Sequence, residues 1–184
     1  RGIRVSLDKE EIFMTQLRAI LRASLYGNLS VMFPMISSVA EVQRAKLLLG
    51  RAGKELKAEK IPYNEKIEVG VMIETPAAVM ISGELTREVD FVSIGTNDLT
   101  QFTLGMDRGN ERLEPYYNPH HPALLKMIRI VANNVHLENK RISICGDLAA
   151  DPEMTEFFLQ IGIDELSVAP GEVLSLRKRI REIQ

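Results

Sequence analysis

Three short β-prone runs in this sequence end in side chains that can do chemistry. Glu74 follows Ile67 to Ile73, Asn97 and Asp98 come soon after Phe91 to Ile94, a run that Gly95 ends, and Cys145 ends Ile142 to Cys145, with Gly146 and Asp147 directly after it. Two carboxylates brought from different strands, Glu74 and Asp98, suit Mg2+, an ion that takes one or two carboxylates and leaves its other positions to substrate oxygens and water. Arg1, Arg4 and Arg108 offer forked donors of the kind that recognise phosphate or carboxylate. Thr96, Asn97 and Asp98 also stand where a helix begins, and free backbone N–H groups there attract an anion. Asp98 therefore reads either as a metal ligand or as an ordinary cap bonding its own backbone. Cys145 reads as a proton donor, a nucleophile or a small buried hydrophobe. By themselves these residues reach as far as a metal-assisted enzyme acting on a small anion.

The elements that must position them repeat as strand then helix. Asp8 with Glu11 has the spacing of a capping box, and Phe13, Leu17, Ile20 and Leu21 then share one helical face, with Gly27 after the helix end. Leu29 to Phe33 is β-prone and stopped by Pro34. Ser38 with Glu41 repeats the capping box before a long helix carrying Val42, Ala45, Leu49 and Leu56. Ile67 to Ile73 reads as a strand, with a helix over about Ala77 to Leu85 opened by Pro76. Val89 to Gln101 reads as strand, tight turn and helix start. The irregular stretch from Leu104 to His121 is long enough to expect function or disorder. Pro122 then opens a helix with Leu124, Ile128, Val131 and Val135 on one face. A strand over Ile142 to Cys145 and a helix from Asp151-Pro152 holding Phe157, Phe158 and Ile161 follow. Leu166 to Val168 is the last strand, and Pro170 opens a closing helix with Val173, Leu176, Ile180 and Ile183 at helical spacing.

Five βα units predict a parallel sheet. With no GxGxxG or P-loop after any strand, a (β/α)8 TIM barrel is favoured over a doubly wound nucleotide-binding sheet, and residues 1–184 read as a single domain, part of such a barrel that lacks the first strands. In a barrel the carboxyl ends of the strands meet on one face, so Glu74, Asp98 and Cys145 become neighbours. An incomplete barrel is expected to expose apolar strand edges and to associate.

Composition narrows the class further. The net charge of −2 gives no basic excess for nucleic acid, no run of about 18 apolar residues spans a membrane, and Cys145, the single cysteine, fits a reducing cytoplasm. The chain begins at Arg1, without a methionine and in mid-pattern, which reads as a piece of a longer polypeptide.

Four segments, Glu74-Thr75-Pro76-Ala77-Ala78, Gly95-Thr96-Asn97-Asp98-Leu99-Thr100-Gln101, Asp107-Arg108-Gly109-Asn110-Glu111 and Cys145-Gly146-Asp147-Leu148-Ala149, occur in this order. With the opening Arg1-Gly2-Ile3-Arg4 and the closing Leu166-Ser167-Val168, they resemble the phosphoenolpyruvate-binding domain of Enzyme I, the phosphoenolpyruvate–protein phosphotransferase of the bacterial sugar phosphotransferase system. The resemblance covers nearly the whole chain. It implies a barrel of the phosphoenolpyruvate/pyruvate-binding type, Mg2+ held by Glu74 and Asp98, substrate held by Arg1, Asn97, Asp98 and Arg108, and Cys145 as the acid that protonates the methylene carbon of enolpyruvate. It also implies a cytoplasmic homodimer, a phosphoacceptor histidine in a separate N-terminal domain, and the phosphocarrier protein HPr as partner. His120, His121 and His136 do not match the setting of that histidine; the first two read as helix-start residues and the third as a surface residue. Alternative readings are a pyruvate phosphate dikinase or phosphoenolpyruvate synthase domain, which share the Gly-Thr-Asn-Asp segment, and a non-catalytic binding or dimerisation module.

Overall fold

The computed structural model describes residues 1–183. Five strands, β1 (Ser30–Phe33), β2 (Glu68–Ile73), β3 (Phe91–Gly95), β4 (Arg141–Cys145) and β5 (Glu165–Ser167), pair in parallel in sequence order. This is the arc of consecutive strands that the barrel expectation requires, with β1 and β5 as its edges.

Strand alternation decides which residues meet the helices. Val31, Phe33, Val69, Val71, Ile73, Val92, Ile94, Ile142 and Ile144 point into the buried core. The residues between them, Ser30, Met32, Met72, Phe91, Ser93, Arg141, Ser143, Cys145, Glu165 and Ser167, line a 680 Å³ cavity on the other face. That second face mixes apolar with small polar side chains, as the interior of a barrel arc does once helices cover only its outside.

Helices α1 (Ile3–Asp8) and α2 (Glu10–Ala23) precede β1, and α3 (Val39–Ala58) follows it. The capping box at α3 forms as expected: Ser38 accepts from the Glu41 N–H, and the Glu41 carboxylate accepts from the Ser38 N–H at 2.9 Å. The one expected from Asp8 and Glu11 does not form. Helix α1 already runs through Asp8, with its first N–H, that of Ile3, bonded to the Pro34 carbonyl, and Lys9 is the N-cap of α2 without a side-chain bond. Phe13, Leu17 and Leu21 of α2 are buried, and Phe13 packs edge-on against Phe33 of β1 at 6.1 Å between ring centroids.

The helix expected over Ala77 to Leu85 is split into α4 (Pro76–Met80) and α5 (Ser82–Glu88), with Ile81 as the break between them. Thr75 caps α4 by accepting from the Ala78 N–H, and its own hydroxyl donates to the Ile36 carbonyl at 2.9 Å. After β3 comes α6 (Thr96–Thr103), and the long stretch that follows is ordered by side-chain turns and a 3-10 turn over Glu111–Tyr116. Helix α7 (Pro122–Leu137) begins at Pro122, with Leu124, Ile128, Val131 and Val135 all buried as the spacing predicts. Helix α8 (Thr155–Gln160) starts later than the Asp151-Pro152 expectation, because residues after Pro152 form turns first. In α9 (Val173–Ile183), which packs on α8, only Leu176 of the four spaced apolar residues is buried. No helix among the described residues is long and apolar enough to cross a membrane.

Candidate functional site at the carboxyl ends of β2, β3 and β4

Glu74 follows the last residue of β2 and is only 4% exposed. Its Oε1 accepts the Met35 N–H at 2.6 Å. Met35 follows Pro34 at the end of β1 and holds φ +58, a left-handed backbone unusual for a side chain of this size. Opposing effects act on the Glu74 carboxyl, whose pKa is raised on balance. Burial raises its pKa most, the Met35 N–H opposes this, and the nearby Asp98 carboxylate raises it again. The close approach also depends on Gly95, where a Cβ would stand 2.8 Å from Glu74 Oε2.

Asp98 lies in the first turn of α6 and forms an ion pair through Oδ2 with the Arg1 guanidinium. Its other oxygen, Oδ1, is buried and has no hydrogen-bond partner among the described residues. A buried carboxylate oxygen without a donor, beside a second buried carboxylate, is costly in metal-free protein. The pair therefore fits a hard divalent cation, for which oxygen donors are the usual ligands.

The capping alternative for this segment does not hold. Gly95 is the N-cap of α6 and no side chain caps it. Thr96 instead donates to the Cys145 carbonyl at 2.8 Å, and Asn97 Oδ1 accepts the Asp147 N–H at 2.9 Å, so both side chains tie α6 to the end of β4. Gly146, with φ +94, allows this approach: a Cβ there would stand 2.4 Å from Thr96 Oγ1. The amide NH2 of Asn97 is left to face other groups.

Cys145 is half-buried on the concave face of the sheet. Burial pushes its thiol pKa up, the Ser93 hydroxyl opposes this, and the Glu74 charge raises it further. A thiol held protonated is a poor nucleophile and a suitable proton donor. Arg1 and Arg108 do not share one position. Arg1 sits beside Asp98, with its guanidinium 5.9 Å from the Phe102 ring centre. Arg108 is exposed and lines a separate 340 Å³ recess with Tyr117 and Asp147, while Arg4 is exposed on α1. Gln101 anchors the turn that carries Arg108, taking the Arg108 N–H on Oε1 at 3.1 Å.

The histidines stand apart from this site. His121 caps α7 by accepting from the Ala123 N–H, as a helix-start residue should. His120 does something else: its Nε2 meets Asp151 Oδ2 at 2.5 Å, in a cluster with Glu153. His136 is exposed, with Nε2 2.9 Å from the Gly162 carbonyl. Sequence reasoning missed Ser93, Gln101 and the Met35 N–H. A serine in an otherwise apolar strand was the only signal for the first, and the others depend on chain segments far apart.

The buried Glu74 gives a pH dependence. A carboxyl whose pKa is raised in the folded protein contributes stability below its unfolded value, and that contribution is lost as pH rises through the folded value. In chelator-treated protein, Glu74→Gln is expected to raise the melting temperature at neutral pH by ~2–4 °C, about the worth of 1 kcal/mol in a chain of this size. The difference should vanish below about pH 4, where the unfolded carboxyl is protonated too. An equal difference at both pH values would show that the charge on Glu74 carries no such cost.

The whole chain, residues 1–184, matches the family described as PEP-utilising enzyme, PEP-binding domain, where PEP is phosphoenolpyruvate. Curated relatives include phosphoenolpyruvate-protein phosphotransferases from Buchnera aphidicola subsp. Baizongia pistaciae, 48% identical over 99% of this chain, and Priestia megaterium, 44% identical over all of it. The chain spans 32% of the length of each. Among solved structures, a citrate lyase from Burkholderia xenovorans superposes with a TM-score of 0.68 at 17% identity, covering 90% of this chain and 53% of that one. A pyruvate kinase from Cryptosporidium parvum gives 0.65 at 12% identity, covering 89% of this chain and 34% of its own, so these two establish the shared fold. Fold, motif order and identity along the full length agree: the chain belongs to the PEP-binding domain family of the PEP-utilising enzymes.

Proposed function

We propose that residues 1–184 form one domain that binds phosphoenolpyruvate with Mg2+ and supports phosphoryl transfer to a histidine on a separate N-terminal domain, releasing pyruvate. In this reading the domain belongs to a cytoplasmic, homodimeric phosphotransferase that passes the phosphoryl group to the carrier HPr, as the first step of sugar phosphotransferase transport. The observation that carries it is the pair of buried Glu74 and half-buried Asp98, with the buried Asp98 Oδ1 unpartnered among the described residues and Arg1 and Cys145 beside the pair. The names of the curated relatives favour it over a dikinase or synthase domain and over a non-catalytic module.

Glu74 and Asp98 would hold the Mg2+, which when bound neutralises charge on the phosphate and carboxylate of the substrate. Arg1 already stands at Asp98 and can turn its remaining N–H groups to the phosphate. Asn97 is fixed by the Asp147 N–H, so its amide NH2 is the part free to donate to substrate oxygen. Arg108, exposed on its turn beside Asp147, would supply a second guanidinium to the phosphate. Cys145 then gives its proton to the methylene carbon of enolpyruvate: the S–H bond breaks, the C–H bond forms, and the enolate becomes the ketone of pyruvate.

Calorimetry of phosphoenolpyruvate with the full-length protein tests the reading. Binding is expected with Mg2+ and not in its absence. Equal affinity with and without the ion would overturn the metal-assisted site.

A further inference from the structure

We propose that Ser93 is a positioning residue for Cys145, holding its sulfur on the concave face and stabilising the thiolate left after proton delivery. The inference rests on the reading of Cys145 as the acid. Ser93 occupies the middle of β3 between Val92 and Ile94, both of which point into the helix-covered core. Its side chain faces the other way, into the 680 Å³ cavity that Cys145 also lines. The strand register sets Gly95 opposite Cys145, so Ser93 stands two residues below the reacting thiol on the neighbouring strand. Gly95 carries no side chain to separate Cys145 from the β2 side of the site.

Ser93 is only 4% exposed, and its hydroxyl finds Cys145 Sγ at 4.0 Å as its hydrogen-bond partner among the described residues. A buried hydroxyl costs free energy unless it is bonded, and a β-branched or small apolar residue would suit this strand position better if packing were all it served. The sulfur contact gives this buried hydroxyl its partner. Its chemical use follows from the direction of the bond. While the thiol is intact, the hydroxyl donates to its sulfur from below, on the side away from the strand ends. Once the proton has passed to carbon, the same hydroxyl donates to a full negative charge, and bonds to charged groups are the stronger ones. An interaction that strengthens along the reaction lowers the barrier rather than merely tightening substrate binding.

The test is a double-mutant cycle in the full-length protein, read as kcat and KM for pyruvate formation and as the ratio of kcat in H2O and D2O. Ser93→Ala is expected to lower kcat by about ten- to a hundredfold, the range spanned by one hydrogen bond to a charged group, with little change in KM. The solvent isotope ratio should rise as proton delivery becomes limiting. Ser93→Thr, which keeps the hydroxyl, should restore both. In a Cys145→Ala background, Ser93→Ala should cost nothing further, because the two residues act as one unit. Equal losses in both backgrounds would overturn the role of Ser93 while leaving Cys145 as the acid. If Cys145→Ala alone leaves turnover intact, both assignments fall.

Discussion

Replacing Cys145 by alanine in the full-length protein is expected to slow pyruvate formation by about 10²- to 10⁴-fold, the contribution of a positioned general acid, while Mg2+ affinity stays nearly unchanged. The two effects separate because Cys145 enters the site from β4, whereas the proposed metal ligands stand on the β2 and β3 sides. The carboxylates keep their own supports in the variant: Met35 N–H on Glu74, Arg1 on Asp98. The protonated thiol makes the loss specific to carbon protonation. Burial and the Glu74 charge both disfavour a thiolate at rest, so Cys145 waits in the form that donates. Stopped-flow measurement of pyruvate, alongside metal titration, checks the pair of expectations. Parallel loss of metal binding would mean that Cys145 supports the shape of the site instead of its chemistry.

Asp98→Asn is expected to abolish Mg2+-dependent binding of phosphoenolpyruvate. Asp98 brings the one buried side-chain oxygen that lacks a partner among the described residues, and it is also the anchor of Arg1. Asparagine keeps the size and removes the charge. The loss in metal affinity should exceed the ~10- to 100-fold that follows removal of a group merely supporting a ligand. Calorimetry gives both affinities in one series, and the melting temperature shows whether the variant is folded. Asparagine also relieves the repulsion felt by Glu74, so the metal-free variant should melt no lower than the parent. Retention of Mg2+-dependent binding by a folded Asp98→Asn protein would remove Asp98 from the metal site.

These outcomes bear on what the buried carboxylates are for. A like-charge pair with an orphaned oxygen is a poor way to stabilise a fold, because each desolvated charge costs more than a surface pair returns. It is a good way to prepare for a cation that supplies the missing charge. Clusters of a different kind exist in the same chain. His120, Asp151 and Glu153 gather histidine and carboxylates, yet His120 and Asp151 already satisfy one another at 2.5 Å, and the Glu153 N–H bonds Asp151 Oδ1 at 2.8 Å.

Much of the architecture was legible from local rules. Apolar residues alternate along the strands and recur at helical spacing between them, so the βα units and their parallel pairing follow from which positions must be buried. Ser38 and Glu41 fix the start of α3 through bonds only three residues long, and Pro122 opens α7. The rule that parallel strands gather ligands at their carboxyl ends also picks out Glu74, Asp98 and Cys145 from the sequence. Where local signals failed, a distant contact had won. Asp8 and Glu11 have the right spacing for a cap, but Asp8 is the last residue of α1, a helix whose Ile3 N–H is held by the distant Pro34 carbonyl. Closing-helix residues Val173, Ile180 and Ile183 have core spacing, yet burial depends on a partner surface that periodicity cannot specify.

The sequence by itself determined the order of the elements and the set of side chains delivered to one end of the sheet. Only the tertiary structure decided what each side chain does there. Arg1 meets Asp98 across 97 residues, Met35 meets Glu74 across 39, Asn97 meets Asp147 across 50, and Ser93 meets Cys145 across 52. Periodicity and capping act over one or two turns of chain, so they fix where a residue stands along an element. Which charge it faces, how dry it is, and whether its hydrogen bonds are satisfied are set by strand register and by the close approaches that Gly95 and Gly146 permit.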